Sequence, residues 1–248
     1  GTNSTTQDIT VNVNNVNDNS PVITSASSFT ADENQTAIGT VTATDADSDD
    51  LTFTVSGNEL SITSAGVLTF VSAPDYEAKS SYSVTVTASD GTNSTTQNIT
   101  VSVNNVNDNS PSFTSNTTFT ADENQTAIGT VTATDPEGDS ITFTISGNEL
   151  SITSAGVLTF SSAPDYEIKS SYSATVTATD GVNSATQLII VTVNNINDTN
   201  PVITSNNSFT ADENQTAIGM VTATDADSDD LTFTVSGNEL SITSAGVL

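Results

Sequence analysis

The chain has 248 residues, 30 Asp and Glu against 2 Lys and Arg, and a formal charge of −28. It has no His, Cys or Trp. That excludes a His or Cys zinc site, a His-based nucleophile and any disulfide. Lys79 and Lys169 alone cannot neutralise a phosphate backbone, so nucleic acid is not an expected partner. No apolar run reaches the ~18 residues of a membrane span, so insertion of this segment is not expected.

The chain repeats itself. Ala-Asp-Glu-Asn-Gln-Thr-Ala-Ile-Gly begins at Ala31, Ala121 and Ala211, and Gly-Asn-Glu-Leu-Ser-Ile-Thr begins at Gly57, Gly147 and Gly237. Residues 31–120 and 121–210 agree at about three quarters of positions. Residues 211–248 differ from 31–68 only in Met220 against Thr40. A 90-residue period, from Ala31 to Ala121, exceeds helical solenoid units and matches a whole small domain. We expect a C-terminal fragment of a preceding repeat over 1–20, repeats over 21–110 and 111–200, and an N-terminal fragment over 201–248. Such a pattern is expected of a window cut from a longer array.

Within 21–110, strands are expected over Val22–Thr24, Phe29–Ala31, Ala37–Ala43 and Leu51–Val55. Further strands are expected over Leu60–Thr63, Val67–Phe70, Tyr82–Ala88 and Ile99–Val103. Leu51, Phe53 and Val55 share one face, as do Tyr82, Val84, Val86 and Ala88. Breaks fall at Gly57-Asn58, Ala65-Gly66, Ala73-Pro74 and Asp90-Gly91. About seven short strands, each with one apolar face, predict an all-β Greek-key sandwich of immunoglobulin type.

The acids fall at loops: Asp32-Glu33, then Asp45, Asp47, Asp49 and Asp50, then Asp75 and Glu77, then Asp90 and Asp108. Only Glu59 stands apart. Solvation of polar loops is one reading. The near absence of Lys and Arg favours another, in which a hard cation with oxygen ligands offsets the repulsion. Asp45-Ala-Asp-Ser-Asp49 starts like an EF-hand loop, but Asp50 stands where Gly is required and Ser56 where Glu is required. An enzyme is not expected, because a carboxylate pair such as Asp75 and Glu77 recurs in every full repeat, as an ion site would.

The segment Asn15-Val-Asn-Asp-Asn-Ser-Pro21 recurs from Asn105 and, as Asn-Ile-Asn-Asp-Thr-Asn-Pro, from Asn195. It resembles the DxNDNxP linker of cadherin repeats. Ala31-Asp-Glu33, Asp45-Ala-Asp47, Asp75-Tyr-Glu77 and Ala88-Ser-Asp90-Gly resemble the other cadherin motifs, in order and in two full copies. The near-identical Thr, Asn, Ser and Asp-rich copies look like bacterial cadherin-like arrays.

The resemblance implies sandwiches set end to end as a rod, with up to three Ca²⁺ in each complete junction. It implies that Glu33, Asp75, Glu77, Asn105, Val106, Asn107, Asp108, Asn109, Asp135, Glu137 and Asp180 serve the first complete junction. Glu123, Asp165, Glu167, Asn195, Ile196, Asn197, Asp198, Thr199, Asp225 and Asp227 serve the second. Asn15, Asn17, Asp18, Asn19, Asp45, Asp47 and Asp90 belong to an N-terminal one. Asn stands at 15, 105 and 195 where the family usually has Asp, which removes one carboxylate per junction. The implied role is a calcium-rigidified stalk, spacer or filament segment of an extracellular or cell-surface protein. A directly adhesive module is the alternative. Neighbouring repeats, calcium, and homophilic or filament contacts are the implied partners.

Overall fold

A segment with alternating apolar residues has one face to bury, and a second sheet is what covers it. A computed structural model describes residues 1–248 and contains no α-helix, hence none long and apolar enough to cross a membrane. Contacts divide it into two compact units, Gly1–Asn107 and Asp108–Leu248.

The first unit holds β1 (Val22–Ile23), β2 (Ser28–Asp32), β3 (Ala37–Thr40), β4 (Ala43–Thr44) and β5 (Thr52–Val55). It continues with β6 (Leu60–Ile62), β7 (Val67–Phe70), β8 (Ser81–Ser89) and β9 (Ser94–Asn104). One sheet has the order β2-β9-β8-β5, another β3-β7-β6, and β1 pairs with β4. The inner faces enclose Val41, Phe53, Leu60, Leu68, Phe70, Val84, Val86, Ile99, Val101 and Val103. Phe70 meets Tyr82 edge to face with centroids 5.0 Å apart, a favoured aromatic geometry.

The strand expected over Ala37–Ala43 is two strands. Its register slips between Ala37 and Gly39. Val41 leaves the ladder to bury its side chain, and its N–H bonds the Gly66 carbonyl at 2.8 Å. Gly66 has φ +85°, and a Cβ there would lie 2.2 Å from the Val41 oxygen, a position only glycine tolerates. The last strand is longer than expected. It starts at Ser94, because the Asp90–Asn93 turn closes a hairpin that pairs Ser89 with Ser94.

β2 runs parallel to β9, with Asp32 opposite Asn104. Both strands therefore end side by side, and Glu33 emerges beside Asn105. The opposite end of β9 carries the Asp90 turn. Eleven residues at ~3.3 Å each separate the two by the length of the sandwich.

The second unit repeats this with β10 (Ser112–Phe113), β11 (Thr118–Asp122), β12 (Ala127–Thr130), β13 (Ala133–Thr134) and β14 (Thr142–Ile145). It continues with β15 (Leu150–Ile152), β16 (Val157–Phe160), β17 (Ser171–Thr179) and β18 (Ser184–Asn194). Beyond them only β19 (Val202–Ile203) and β20 (Ala223–Thr224) form. Leu158 is fully buried in this core. Leu158→Ala should lower unfolding stability by about 2–5 kcal/mol, measured by chemical denaturation of the second unit's transition; a loss under about 1 kcal/mol would contradict this packing.

Candidate metal centre

The parallel pairing of β11 with β18 delivers Glu123 to the linker. Glu123 is 2% exposed. Its Oε1 accepts the Ile196 N–H at 2.7 Å and its Oε2 the Tyr166 N–H at 2.8 Å. One carboxylate thus ties β11, the linker and the Asp165–Glu167 loop together. Glu33 is 4% exposed and does the same with Val106 at 2.8 Å and Tyr76 at 2.7 Å. Burying an anion is costly unless such donors or a cation compensate.

Pro164 leads into a turn that sets the next two acids. The Asp165 Oδ1 accepts the Ile168 N–H at 3.1 Å, and its carbonyl accepts the Lys169 N–H. Asp75 caps the equivalent turn through Ala78 at 3.0 Å. Glu167 and Glu77 project from these turns. Oxygens of Glu123, Glu167, Asp198 and Asp227 lie within 4.8 Å of one another. In the first unit, oxygens of Glu33 and Glu77 also lie within that distance. Asp75 and Asp165 serve as turn caps beside these groups.

Asp227 reaches the group from the loop after β20. Its Oδ2 accepts the N–H groups of Asp198 at 3.1 Å and Thr199 at 2.8 Å. It is 7% exposed, and its Oδ1 has no hydrogen-bond partner. The Asp225 Oδ1 accepts the Asp227 N–H at 3.0 Å. Asp198 accepts from Asn124 Nδ2 and Thr199 Oγ1.

The N-terminal set has the same wiring. Asp47 Oδ2 accepts from Asp18 N–H at 3.0 Å and Asn19 N–H at 2.8 Å, and Asp45 Oδ1 from Asp47 N–H at 2.8 Å. Asn93 Nδ2 bonds Asn17 Oδ1 and the Asn19 carbonyl, which brings the linker to the Asp90 turn. Of the remaining residues, Asn105, Val106 and Asn107 close the first unit. Asp108 and Asn109 open the second, in which Asp135 and Glu137 follow β13 and Asp180 lies in the turn between β17 and β18. There Glu137 accepts from Asn109 Nδ2, Asp135 Oδ1 from the Glu137 N–H, and Asp180 Oδ1 from Val182 and Asn183 N–H at 2.7 Å each.

Asn15 and Asn195 gain a meaning beyond a missing carboxylate. Asn15 Nδ2 donates to the Asp47 carbonyl at 2.7 Å, and Asn195 Nδ2 to the Asp227 carbonyl at 2.9 Å. An ionised Asp can accept but has no proton to donate. The amide is therefore a direct strut from linker to loop.

Neither lysine serves these acids. Lys79 pairs with Glu59 and sits 4.3 Å from the Tyr82 ring centroid. Lys169 pairs with Glu149, 4.5 Å from the Tyr172 centroid. This explains the isolated Glu59. Sequence reasoning also passed over Asp49 and Asp229, whose oxygens join those of Asp45 and Asp47, and of Asp225 and Asp227. Acids at every second residue in Asp-Ala-Asp-Ser-Asp were the available signal.

The electrostatics split the acids. Asp47 is held below the usual carboxylate range chiefly by the Asn19 N–H. Desolvation pushes Asp90 upward, but the N–H groups of Asn93 and Thr92 outweigh it and lower its pKa. Both stabilise the fold above the unfolded carboxylate pKa and lose that effect as pH falls through their lowered values. Asp49 is raised by desolvation and then by Asp45, Asp47 and Asp90. Glu167 is raised by desolvation and then by Glu123 and Asp227. A raised carboxylate opposes folding at neutral pH, and the cost is gone below its unfolded pKa of about 4.3. Ion-free Glu167→Gln should therefore melt above the native chain at about pH 7, with the gain vanishing by about pH 4. Calorimetry in EDTA at both pH values checks this; a lower melting point at neutral pH contradicts it.

Comparison with known proteins agrees with this architecture. A family profile described as bacterial Ig domain matches residues 17–103 and 107–192. Rat cadherin-23 is 31% identical over 209 residues, covering 75% of this chain and 6% of its own length. Mouse cadherin EGF LAG seven-pass G-type receptor 2 is 31% identical over an alignment of 252 residues, covering 88% of this chain and 9% of its own length. The chain thus spans less than a tenth of these curated relatives. The crystal structure of mouse cadherin-23 EC22-24 matches with a TM-score of 0.70 and 21% identity, over 93% of this chain and 90% of that one. At that identity the likeness is one of fold. The chain belongs to the bacterial Ig-domain family, and its repeats share the fold of cadherin ectodomain repeats.

Proposed function

We propose that these repeats are a calcium-rigidified structural segment, a stalk, spacer or filament portion of an extracellular or cell-surface protein, without enzymatic activity. The observation that carries this reading is the Glu123, Glu167, Asp198 and Asp227 group, with a buried, unpartnered Asp227 Oδ1 and both lysines engaged elsewhere. Its donors are all oxygen, which suits a hard cation. Ligands at 2.3–2.6 Å from Ca²⁺ on opposite sides are about 4.6–5.2 Å apart. The group's oxygens all lie within 4.8 Å of one another, close enough to share one such ion. The linker adds the carbonyls of Ile196 and Thr199 and the amide oxygen of Asn197 as further donors.

Without a cation, the group's four carboxylates repel one another, and only hydrogen bonds hold the loops after β11 and β20 to the linker. Calcium supplies the positive charge that removes this repulsion. It binds the ordered arrangement better than the loose one, so it stabilises that arrangement by mass action. Successive repeats are then restrained at the linker, which is what a load-bearing or spacing element needs. Extracellular placement rests on the likeness to cadherins, of which the mouse relative is by name a seven-pass receptor.

The full chain should bind Ca²⁺ with a Kd of roughly 10⁻⁴–10⁻³ M. Saturating CaCl₂ should raise the melting temperature and change the hydrodynamic radius, with EDTA reversing both. Asp198→Asn should weaken the response of the second unit by about tenfold in Ca²⁺ concentration. Identical melting and hydrodynamic radius in CaCl₂ and EDTA would refute the proposal.

A further inference from the structure

We propose that each unit carries a groove that binds a neutral sugar, built around its single lysine: Glu59, Lys79 and Tyr82 in the first unit, Glu149, Lys169 and Tyr172 in the second. This goes beyond the calcium reading and does not depend on it.

In the second unit a cavity of ≈ 340 Å³ is lined by Asn148, Glu149, Ser162, Pro164 and Tyr172, among others. In the first, a cavity of ≈ 280 Å³ has Asn58, Glu59, Ser72, Pro74 and Tyr82 in the same places. Such volumes are at the low end for ligand sites, which suits a single sugar ring. The walls are tied together by backbone: the Val71 N–H donates to the Glu59 carbonyl and the Ser161 N–H to the Glu149 carbonyl, at 2.9 Å each. Tyr82 and Tyr172 are braced edge to face against Phe70 and Phe160. Each lysine bonds the glutamate Oε1 and lies over the tyrosine ring, which holds ammonium and carboxylate at the groove.

The groove offers hydrogen bonds that the protein leaves unused. The side chains of Asn58, Ser72 and Tyr82 make none within the protein, and Glu59 uses one of its two carboxylate oxygens. Asn148, Ser162, Tyr172 and Glu149 are in the same state. Neighbouring sugar hydroxyls both donate and accept, which matches an accepting carboxylate, a donating ammonium and an amide that does both. Charge argues against other ligands. An anion meets Glu59, Asp75 and a chain of −28. A cation has to displace the lysine from its carboxylate. A neutral polyol does neither. Each groove also has one exposed aliphatic side chain on its wall. In the first it is Val71, 58% exposed, where the second has Ser161; in the second it is Ile168, 82% exposed, where the first has Ala78. Exposed aliphatics are common singly, but these two reach the same groove from different positions. With Pro74 or Pro164 they offer the carbon face of a sugar ring an apolar surface to cover. One groove per repeat lets weak single contacts add along a polysaccharide.

The test is saturation-transfer NMR on the full chain in CaCl₂. The probes are the methyl glycosides of glucose, galactose, mannose and N-acetylglucosamine, with glucuronate as the anionic counterpart. At least one neutral glycoside should show transfer, and glucuronate none. Glu59→Gln with Glu149→Gln should weaken that binding by about tenfold or more, through loss of a charge-assisted hydrogen bond. Asp50→Asn with Asp230→Asn, which removes the same charge away from the grooves, should leave it unchanged. Should the glutamate variant unfold by circular dichroism, Asn58→Ala with Asn148→Ala reads the same loss from exposed residues. No transfer to any of the four glycosides, equal transfer to glucuronate, or native binding by the groove variants overturns the inference and leaves the calcium reading standing.

Discussion

The parallel pairing of β2 with β9, and of β11 with β18, governs everything downstream. Antiparallel strands alone would return each chain end to the side it came from. A parallel pair ends on one side, so Asp32 stops beside Asn104 and Asp122 beside Asn194. The next residues are Glu33 and Asn105, or Glu123 and Asn195. A buried glutamate is thereby placed against the start of a linker, close enough to accept its amide N–H. The Asp75 and Asp165 turns then bring a second glutamate to the same place.

The charge follows from that geometry. Thirty acids against two lysines would be a diffuse burden on the fold if spread evenly. They are instead gathered at loops, where amide N–H groups hold some oxygens and leave others unsatisfied. Both lysines are anchored to Glu59 or Glu149 and a tyrosine face, in exposed pairs of small energetic weight. The acidic groups are thus left to one another. Asp47 and Asp90, rich in donors, stay ionised easily, while Asp49 and Glu167 resist ionisation.

Much of this was legible in residue order. Alternation located most strands, since Val84, Val86, Ile99 and Val101 point inward as their spacing requires. It could not foresee the break at Val41, because the bond that holds it comes from Gly66, a residue distant in sequence. The motif acids were legible as types and positions. What Asn15 and Asn195 do was not: an amide and a carboxylate differ by a donor, and only a partner carbonyl reveals whether that donor is used. Asp49 and Asp229 were passed over because their neighbours matched a known pattern and they did not.

The repeats themselves separate the two kinds of information. Residues 31–68 and 211–248 differ at one position, yet the first contains β3 to β6 and the start of β7 and the second little beyond β20 and a bridge from Met220 to Val247. Likewise Ser4–Asn14 closely matches Ser94–Asn104, but Ile9, Val11 and Val13 are 81%, 78% and 90% exposed where Ile99, Val101 and Val103 are buried. Sequence alone determined the period, the alternation, the turn glycines and the kinds of oxygen donor on offer. Tertiary structure decided which alternating segments became strands and which acids met. The reason is physical: a strand's hydrogen bonds and its covered face both belong to a partner, and β8 and β9 have no counterpart within residues 201–248.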